Sequence, residues 1–166
     1  MRSKYIIPPL IVILGLLALY YLFPSDEKKI KKQFTLLSEW AAKDQEESSF
    51  TMAHKAGNIG RLFVERVELE VPEFDLSGSY TREEIVGYTA RVRLSFSRLS
   101  LQFYDPTIAF LEKGAAKVDL RGRLRGNSTG GEEVDETREI VCVLKKIEDQ
   151  WLFTHLKVAE VQKNKG

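Results

Sequence analysis

The sequence predicts an α+β fold in which helices of the N-terminal half pack on a curved antiparallel sheet, preceded by one transmembrane helix. Two observations lead to this prediction. Two runs rich in β-branched and apolar residues, within 134–161, flank the polar tetrad 146–149, the pattern of an antiparallel hairpin. An uncharged apolar run covers residues 5–23, close to the N-terminus. Amphipathic helical and strand patterns fill the chain between them.

The overall composition excludes some classes of function. Among the 166 residues, 25 lysines and arginines balance 24 acids, which gives no reason to expect nucleic-acid binding. The single cysteine, Cys142, excludes an intramolecular disulfide and fits a small core residue of a strand. His, Cys, Asp and Glu show no metal-ligand spacing. We therefore expect neither a metal nor a cofactor.

The apolar run predicts a membrane contact through residues 5–23. Nineteen residues in a helix span about 28 Å, close to the hydrocarbon core of about 30 Å. The alternative is a cleaved signal peptide, but Leu16, Ala18 and Tyr20 do not fit its small-residue cleavage rule. The predicted organisation is a single-pass anchor over 1–24, a folded domain over 25–162 and a disordered tail over 163–166.

The charges on the two sides of the anchor favour opposite orientations in the membrane. Arg2 and Lys4 favour a cytoplasmic N-terminus, whereas the lysine cluster at 28–32 favours the reverse. Long domains cross the membrane largely regardless of such charges. We expect a protein of the cytoplasmic (inner) membrane whose domain is extracytoplasmic, in the periplasm.

Three helices are predicted after the anchor. Ser25 is a suitable N-cap for the first, and the second begins at Ser48 or Ser49. Thr81 and Glu84 form a capping box at the start of the third. The first helix carries an apolar stripe at Ile30, Phe34, Leu37, Trp40 and Ala41, and the third carries one at Ile85, Tyr88, Val92 and Phe96.

Alternating apolar and polar residues predict the strands. A half-buried strand over 64–71 ends at Pro72, a second run over 99–111 is interrupted by Pro106, and a third over 116–125 has one charged face. The closing hairpin is apolar on both faces, so its strands are expected to be central and covered on both sides.

This order of elements, ending in the segment 147–155 with Trp151 and His155, resembles the nuclear transport factor 2-like superfamily, also called SnoaL-like or ketosteroid-isomerase-like. The start of the third helix at Thr81 and the strand before the glycine-bearing loop match as well. The resemblance covers about 26–161. It implies a cone-shaped fold with a curved sheet around a long first helix, in a superfamily that includes isomerases, dehydratases, polyketide cyclases and proteins without chemistry.

The resemblance also implies an acid or base in the mouth of the cone, with a hydrogen-bond donor beside it. The candidates that we expect to line such a cavity are His54, Tyr88, Tyr104, Trp151 and His155. For each of them, an ordinary core or surface role is the simpler interpretation. The chain shows no carboxylate pair and no nucleophile beside a base. We therefore assign no catalytic residue from the sequence.

Arg121, Arg123 and Arg125 occupy alternate positions of one strand, so their guanidinium groups lie on one side, about 7 Å apart. They could bind phosphate or an acidic partner. The simpler interpretation is ion pairing across strands with the charged residues at 68, 70, 136 and 138.

Two functions from different classes remain. The first is a membrane-anchored, non-catalytic domain that binds a protein partner, a second copy of itself or a small ligand through its sheet face or cavity. The alternative is a small-molecule isomerase, dehydratase or cyclase of the ketosteroid-isomerase-like type. An enzyme requires a polar group inside the cavity, and a purely apolar, closed cavity would favour a binder.

Overall fold

A computed structural model of the protein describes residues 7–22, 25–44, 46–112 and 114–160. The helices are α1 (Ile7–Leu22), α2 (Asp26–Ala41), α3 (Ser49–Gly60) and α4 (Arg82–Leu94). The strands are β1 (Phe63–Val71), β2 (Leu76–Thr81), β3 (Phe96–Glu112), β4 (Ala115–Ser128), β5 (Glu133–Ile147) and β6 (Gln150–Val158), with a short 3-10 turn at Pro72–Phe74. The predicted α+β class is confirmed.

The three predicted helix starts are all capped by side chains. The hydroxyls of Ser25, Ser48 and Thr81 each accept a hydrogen bond from a backbone N–H in the first turn of α2, α3 and α4. At α4 the capping box is complete, because Glu84 Oε2 also accepts from the Thr81 backbone N–H at 2.7 Å. These caps satisfy donors that a helix start otherwise leaves unpaired.

The six strands form one curved sheet in the order β2-β1-β6-β5-β4-β3. All neighbouring pairs are antiparallel except β1 and β6, which are parallel. The prediction of a fully antiparallel sheet is therefore wrong. The parallel pair arises because α4 carries the chain from β2, at one edge, to β3, at the other. Four successive antiparallel strands then return β6 to β1 in the same direction.

One strand was not predicted, and one predicted boundary differs. Strand β2 was not predicted because its sequence LSGSYT lacks an apolar alternation; it forms by pairing with β1. Phe96 begins β3 instead of ending the third helix. As predicted, the strand continues beyond Pro106, which lies within a register shift between Tyr104 and Thr107 where Asp105 adopts a φ of 53°. A proline is tolerated there because β3 is an edge strand.

The closing hairpin lies in the middle of the sheet, as predicted. Glu148 and Asp149 form its turn with φ values of 49° and 66°, the left-handed conformation of a type I′ turn. Its inner face is fully buried at Cys142, Leu144 and Phe153, whereas Val143 on the outer face is only half-buried. Among the described residues the helices pack on the inner face alone, so the expectation of cover on both sides is wrong.

Helix α2 supplies the rod around which the sheet curves. Its buried stripe of Ile30, Phe34 and Leu37 faces the inner side of the sheet. The Phe34 ring meets Phe103 and Phe153 edge-on, with centroids 5.3 and 5.2 Å apart. Burial of such rings is the main stabilising contribution to this core.

The apolar N-terminal segment is helical over Ile7–Leu22, and the sides of α1 are exposed. Within the described residues, the N-terminal helical region is the one stretch long and apolar enough to cross a membrane. A signal sequence has the same properties, so the anchor stays a prediction. Residues 1–6, 23, 24 and the predicted tail 163–166 lie outside the described residues.

Candidate functional site

A cavity of about 540 Å³ lies between the inner face of the sheet and helices α2, α3 and α4. Its wall is almost entirely apolar. The apolar lining side chains come from both layers: Leu37, Ala41, Ile59, Phe63, Leu69, Val71, Phe74, Leu76, Ile85, Val92, Phe96, Leu99, Leu101, Phe103, Leu124, Val134, Ile140, Leu156 and Val158. This volume is within the range of small-molecule sites.

Strand alternation sets which residues face the cavity. Along β5, the inward position of Ile140 places Arg138, Glu136 and Val134 on the same side, since the period of a strand is two. Opposite Arg138 stands Gly122, where a β-carbon would collide with Ile140 Cδ1 and lie 3.6 Å from Phe103 Cε1. A glycine is required at this position for these side chains to pack.

Charged groups gather in one part of this otherwise apolar wall. Arg138 Nε donates to Glu73 Oε1 at 2.9 Å, and Arg138 Nη2 donates to Glu136 Oε2 at 2.7 Å. The three side chains are partly exposed, at 21%, 28% and 46% for Arg138, Glu73 and Glu136. We call Glu73, Glu136 and Arg138 the mouth cluster, because it lies where the cavity meets solvent.

Tyr88 lines the cavity from α4. Its ring meets Tyr80 edge-on at 5.6 Å, and the Arg91 guanidinium carbon lies 4.5 Å from its centroid. Arg91 also lines the cavity and is exposed. The phenol and the two guanidinium groups of Arg91 and Arg138 are therefore the hydrogen-bond donors best placed to meet a bound molecule.

A second charged pair is buried in the wall. Arg93 is 1% exposed, and its Nη2 donates to both carboxylate oxygens of Glu47 at 2.5 and 2.6 Å. Arg93 Nη1 donates to the backbone carbonyls of residues 40, 41 and 42 at the end of α2. Burial raises the pKa of Glu47, but the hydrogen bonds from Arg93 and Lys55 outweigh it and lower the pKa overall. This pair joins α2, α3 and α4 and has a structural role.

Of the five side chains predicted to line the cavity, only Tyr88 does. His54 lies on the outside of α3, where its Nε2 is 3.1 Å from Asn58 Nδ2 and its ring stacks on Phe50. Tyr104 lies on the outer face of β3, and its hydroxyl donates to Gln102 at 2.6 Å. The prediction that His54 and Tyr104 line the cavity is therefore wrong.

Trp151 and His155 are also away from the cavity. Trp151 is buried at the opposite end of the sheet, where its Nε1 donates to Asp26 Oδ1 at 3.0 Å. His155 lies on the outer face, 3.8 Å from Glu70 Oε1. A register shift beside Leu144 reverses the alternation between these two residues of β6, which a regular strand pattern does not reveal.

The arginine triplet lies on the outer face and is partly paired across strands, as the simpler interpretation predicted. Arg121 pairs with Asp105, and Arg123 forms two hydrogen bonds with Asp135 at 2.7 and 2.8 Å. Hydrogen bonding to Asp135 raises the pKa of Arg123. Arg125 has no ion-pair partner within the described ranges. The predicted partners were wrong.

Glu136 and Arg138 are the functional candidates that sequence reasoning misplaced. Both were expected to meet the triplet on the outer face, yet they point into the cavity. Extending the alternation of Ile140 and Cys142 by four residues toward the N-terminus would have found both. No sequence pattern indicated Glu73, because it follows the proline that ends β1. Only the tertiary fold brings its carboxylate to Arg138.

Within the parts of the chain that the structure describes, no three His, Cys, Asp or Glu side chains are grouped to hold a metal ion. The cavity presents a carboxylate–guanidinium cluster and a phenol beside an apolar wall. Such groups can bind an acceptor oxygen and exchange a proton with a bound molecule.

Comparison with known proteins identifies the fold. No family model matches the sequence, and no curated protein matches it. Solved structures do match. A candidate aromatic ring hydroxylase from Novosphingobium aromaticivorans has 12% identity and a TM-score of 0.67, over 82% of this chain and 89% of that one.

Two further matches have names that describe elimination chemistry. The hexachlorocyclohexane dehydrochlorinase LinA-type3 from Novosphingobium barchaimii has 11% identity and a TM-score of 0.64, over 80% of this chain and 84% of that one. A candidate scytalone dehydratase from Novosphingobium aromaticivorans has 18% identity and a TM-score of 0.58, over 80% and 78%. At these identities the matches establish the nuclear transport factor 2-like, or SnoaL-like, fold and nothing finer.

Proposed function

We propose that the cavity is a small-molecule site and that the domain acts on its ligand by proton transfer, as an isomerase or dehydratase does. One observation carries the proposal: an apolar cavity of about 540 Å³ has, at its opening, two carboxylates and a guanidinium group in one cluster. An apolar wall fits the body of a ligand, and the mouth cluster fits its polar end.

The chemistry assigned to the mouth cluster is proton abstraction next to a carbonyl. A carboxylate of Glu136 or Glu73 would remove a proton from the carbon beside the carbonyl, while Arg138 or Tyr88 donates a hydrogen bond to the developing enolate oxygen. Return of the proton to another carbon completes an isomerisation, whereas loss of a β-hydroxyl group as water completes a dehydration. The dehydrochlorinase and dehydratase names among the matched folds favour this class over a non-catalytic binder.

A non-catalytic binding domain is the second candidate function. It is favoured by the apolar wall of the cavity, which within the described residues contains no histidine or aspartate. The same cavity would then hold an apolar ligand without changing it. A protein partner or a second copy on the outer sheet face belongs to this candidate, since that face presents Arg125 and the half-buried Val143.

We also propose that α1 anchors the protein in the cytoplasmic membrane, with the domain extracytoplasmic. The support is the apolar composition of α1 and the exposure of its sides. Full-length protein expressed in bacteria should float with membranes and resist alkaline carbonate, and protease added to spheroplasts should cleave the domain. Release by carbonate would refute the anchor, and protection from protease would reverse the orientation.

Filling the cavity should weaken binding of an apolar probe. Leu156→Trp places a larger ring in the wall, whereas the matched change Leu152→Trp lies on the outer face of the same strand. Titration with anilinonaphthalene sulfonate, which has an apolar body and one anionic group, should show a dissociation constant raised at least about fivefold, or about 1 kcal/mol, by the first change alone. Equal binding by both variants and the parent would exclude the cavity as the site.

Removing one carboxylate from the mouth cluster should abolish most of the activity. A cyclic β,γ-unsaturated ketone and a β-hydroxy ketone, incubated in D₂O, report proton abstraction through deuterium uptake seen by NMR. Glu136→Gln or Glu73→Gln should slow the exchange about 100-fold or more, because a general base contributes on that scale. Glu139→Gln, on the outer face of the same strand, is the control. Tight binding of both ketones without exchange would favour the second candidate function.

A further inference from the structure

Three large apolar side chains are exposed together at one end of the sheet, where the β3–β4 and β5–β6 hairpins turn. Phe110, Leu111 and Ile147 are 55%, 58% and 45% exposed. The two turns are neighbours, because the Lys146 N–H donates to the Gly114 carbonyl at 2.8 Å. We call Phe110, Leu111 and Ile147 the tip surface. Exposure of three such residues at one place is unusual for a surface that meets only water.

The tip surface lies beside the start of α2. The Asp26 carboxylate accepts hydrogen bonds from Lys146 Nζ at 2.9 Å and from Trp151 Nε1 at 3.0 Å. The Trp151 ring in turn meets Phe110 with centroids 6.0 Å apart. Ile147 follows Lys146 directly. Asp26 therefore lies close to the tip surface.

The chain between α1 and α2 is too short to separate the tip surface from α1. Four residue steps join Leu22, the last residue of α1, to Asp26. Even a fully extended chain spans only about 14 Å over four residues. If α1 lies in a bilayer, the tip surface is within reach of the layer where lipid headgroups meet acyl chains, which is where partly inserted apolar side chains bind.

The charges around the tip surface are mixed. Lys28, Lys32 and Lys145 are exposed and have no ion-pair partner within the described ranges, while Glu112 and Glu148 are exposed at the same turns. Anionic lipid would be attracted only weakly by this balance. The apolar side chains and their closeness to α1, more than the charges, therefore make this surface suited to contact with a bilayer.

We propose that the tip surface inserts into the interfacial layer of the same bilayer that α1 enters, so that the domain rests on the membrane through the β3–β4 and β5–β6 turns. The inference rests on the proposed membrane anchor and not on the proposed catalysis.

This contact would also orient the cavity. The mouth cluster residue Arg138 lies nine residues from Ile147 along β5, about 30 Å of strand, so the opening faces away from the lipid. A ligand then enters from the aqueous side.

The test uses the full-length chain in phosphatidylcholine vesicles, with and without phosphatidylglycerol. Single cysteines at Leu111→Cys and Ile147→Cys carry an environment-sensitive nitrobenzoxadiazole label, and Thr129→Cys, at the opposite hairpin, is the matched control. The natural Cys142 does not interfere, since it is 0% exposed and burial raises the pKa of its thiol to about 12. Emission wavelength and quenching by aqueous iodide are measured for each label.

The labels at 111 and 147 should emit at shorter wavelength than the label at 129 and be quenched at least about twofold less, in vesicles of either composition. Three outcomes would overturn the proposal in distinguishable ways. Protein that does not float with the vesicles refutes the anchor itself. Floating protein whose labels at 111 and 147 behave like that at 129 refutes only the tip contact. Shielded labels that lose their shielding on dilution of protein among vesicles, and transfer energy between copies, identify a second copy as the occupant.

Discussion

Replacing Arg93 by methionine is expected to lower the free energy of unfolding by about 3–5 kcal/mol. The change leaves Glu47 as a buried charge without its main partner, which is costly because an unpaired carboxylate inside the protein has lost its hydration. It also removes the donors that satisfy three carbonyls at the end of α2. Urea unfolding of the variant and the parent measures the difference.

Two controls separate the charge from the packing. In the double variant Arg93→Met, Glu47→Gln, part of the stability should return, since the uncompensated charge is gone. The pH dependence gives a second test: because the pKa of Glu47 is lowered in the folded state, its contribution to stability is complete above about pH 5 and is lost as the pH falls. The difference between parent and Arg93→Met should therefore shrink in acid. A loss below about 1 kcal/mol at neutral pH would show that the pair is not structural.

Trp151→Ala should destabilise the domain by about 3–5 kcal/mol, because the ring is 1% exposed and its removal leaves a cavity. The residue also ties β6 to the start of α2 through its hydrogen bond to Asp26. Thermal and urea unfolding, followed by circular dichroism, measure the effect. A loss below about 1 kcal/mol would show that the ring is peripheral to the core.

Trp151→Phe separates the ring from the hydrogen bond. It keeps most of the apolar volume and should cost about 1 kcal/mol, the usual net contribution of one hydrogen bond, beyond any packing change. The hydrogen bonds from Trp151 and Lys146 lower the pKa of Asp26, so the stability that Asp26 adds is present above about pH 4 and lost in acid. The Phe variant should therefore lose less stability than the parent on acidification.

The predicted helices were largely correct because their signals are local. Ser25, Ser48 and Thr81 cap the three helices at the positions that their side chains indicate, and the stripe of Ile30, Phe34 and Leu37 faces the sheet. A hydroxyl next to a free backbone donor acts within one helical turn, and an apolar stripe depends only on the helical period. Neither requires knowledge of the rest of the fold.

The candidate site was much harder to predict. Tyr88 was found because its position on the α4 stripe is a local property. His155 was misplaced because a register shift in β6 changes the face that it occupies, and Trp151 was misplaced because it is buried at the end of the sheet away from the cavity. Glu136 and Arg138 follow the alternation of β5, but Glu73 lies 63 residues before Glu136 and no local pattern associates it with them. Their meeting depends on the curvature that brings the 3-10 turn over β5.

By itself, the sequence determined the class of the fold, the helix starts, the closing hairpin in the centre of the sheet and the apolar character of α1. Each follows from periodicity, capping or turn chemistry, which act over a few residues. Only the tertiary structure decided the parallel pairing of β1 with β6, the cavity and its mouth cluster, and the exposure of the tip surface. These depend on which strands become neighbours and how the sheet bends around α2, and such long-range geometry is not contained in any short segment.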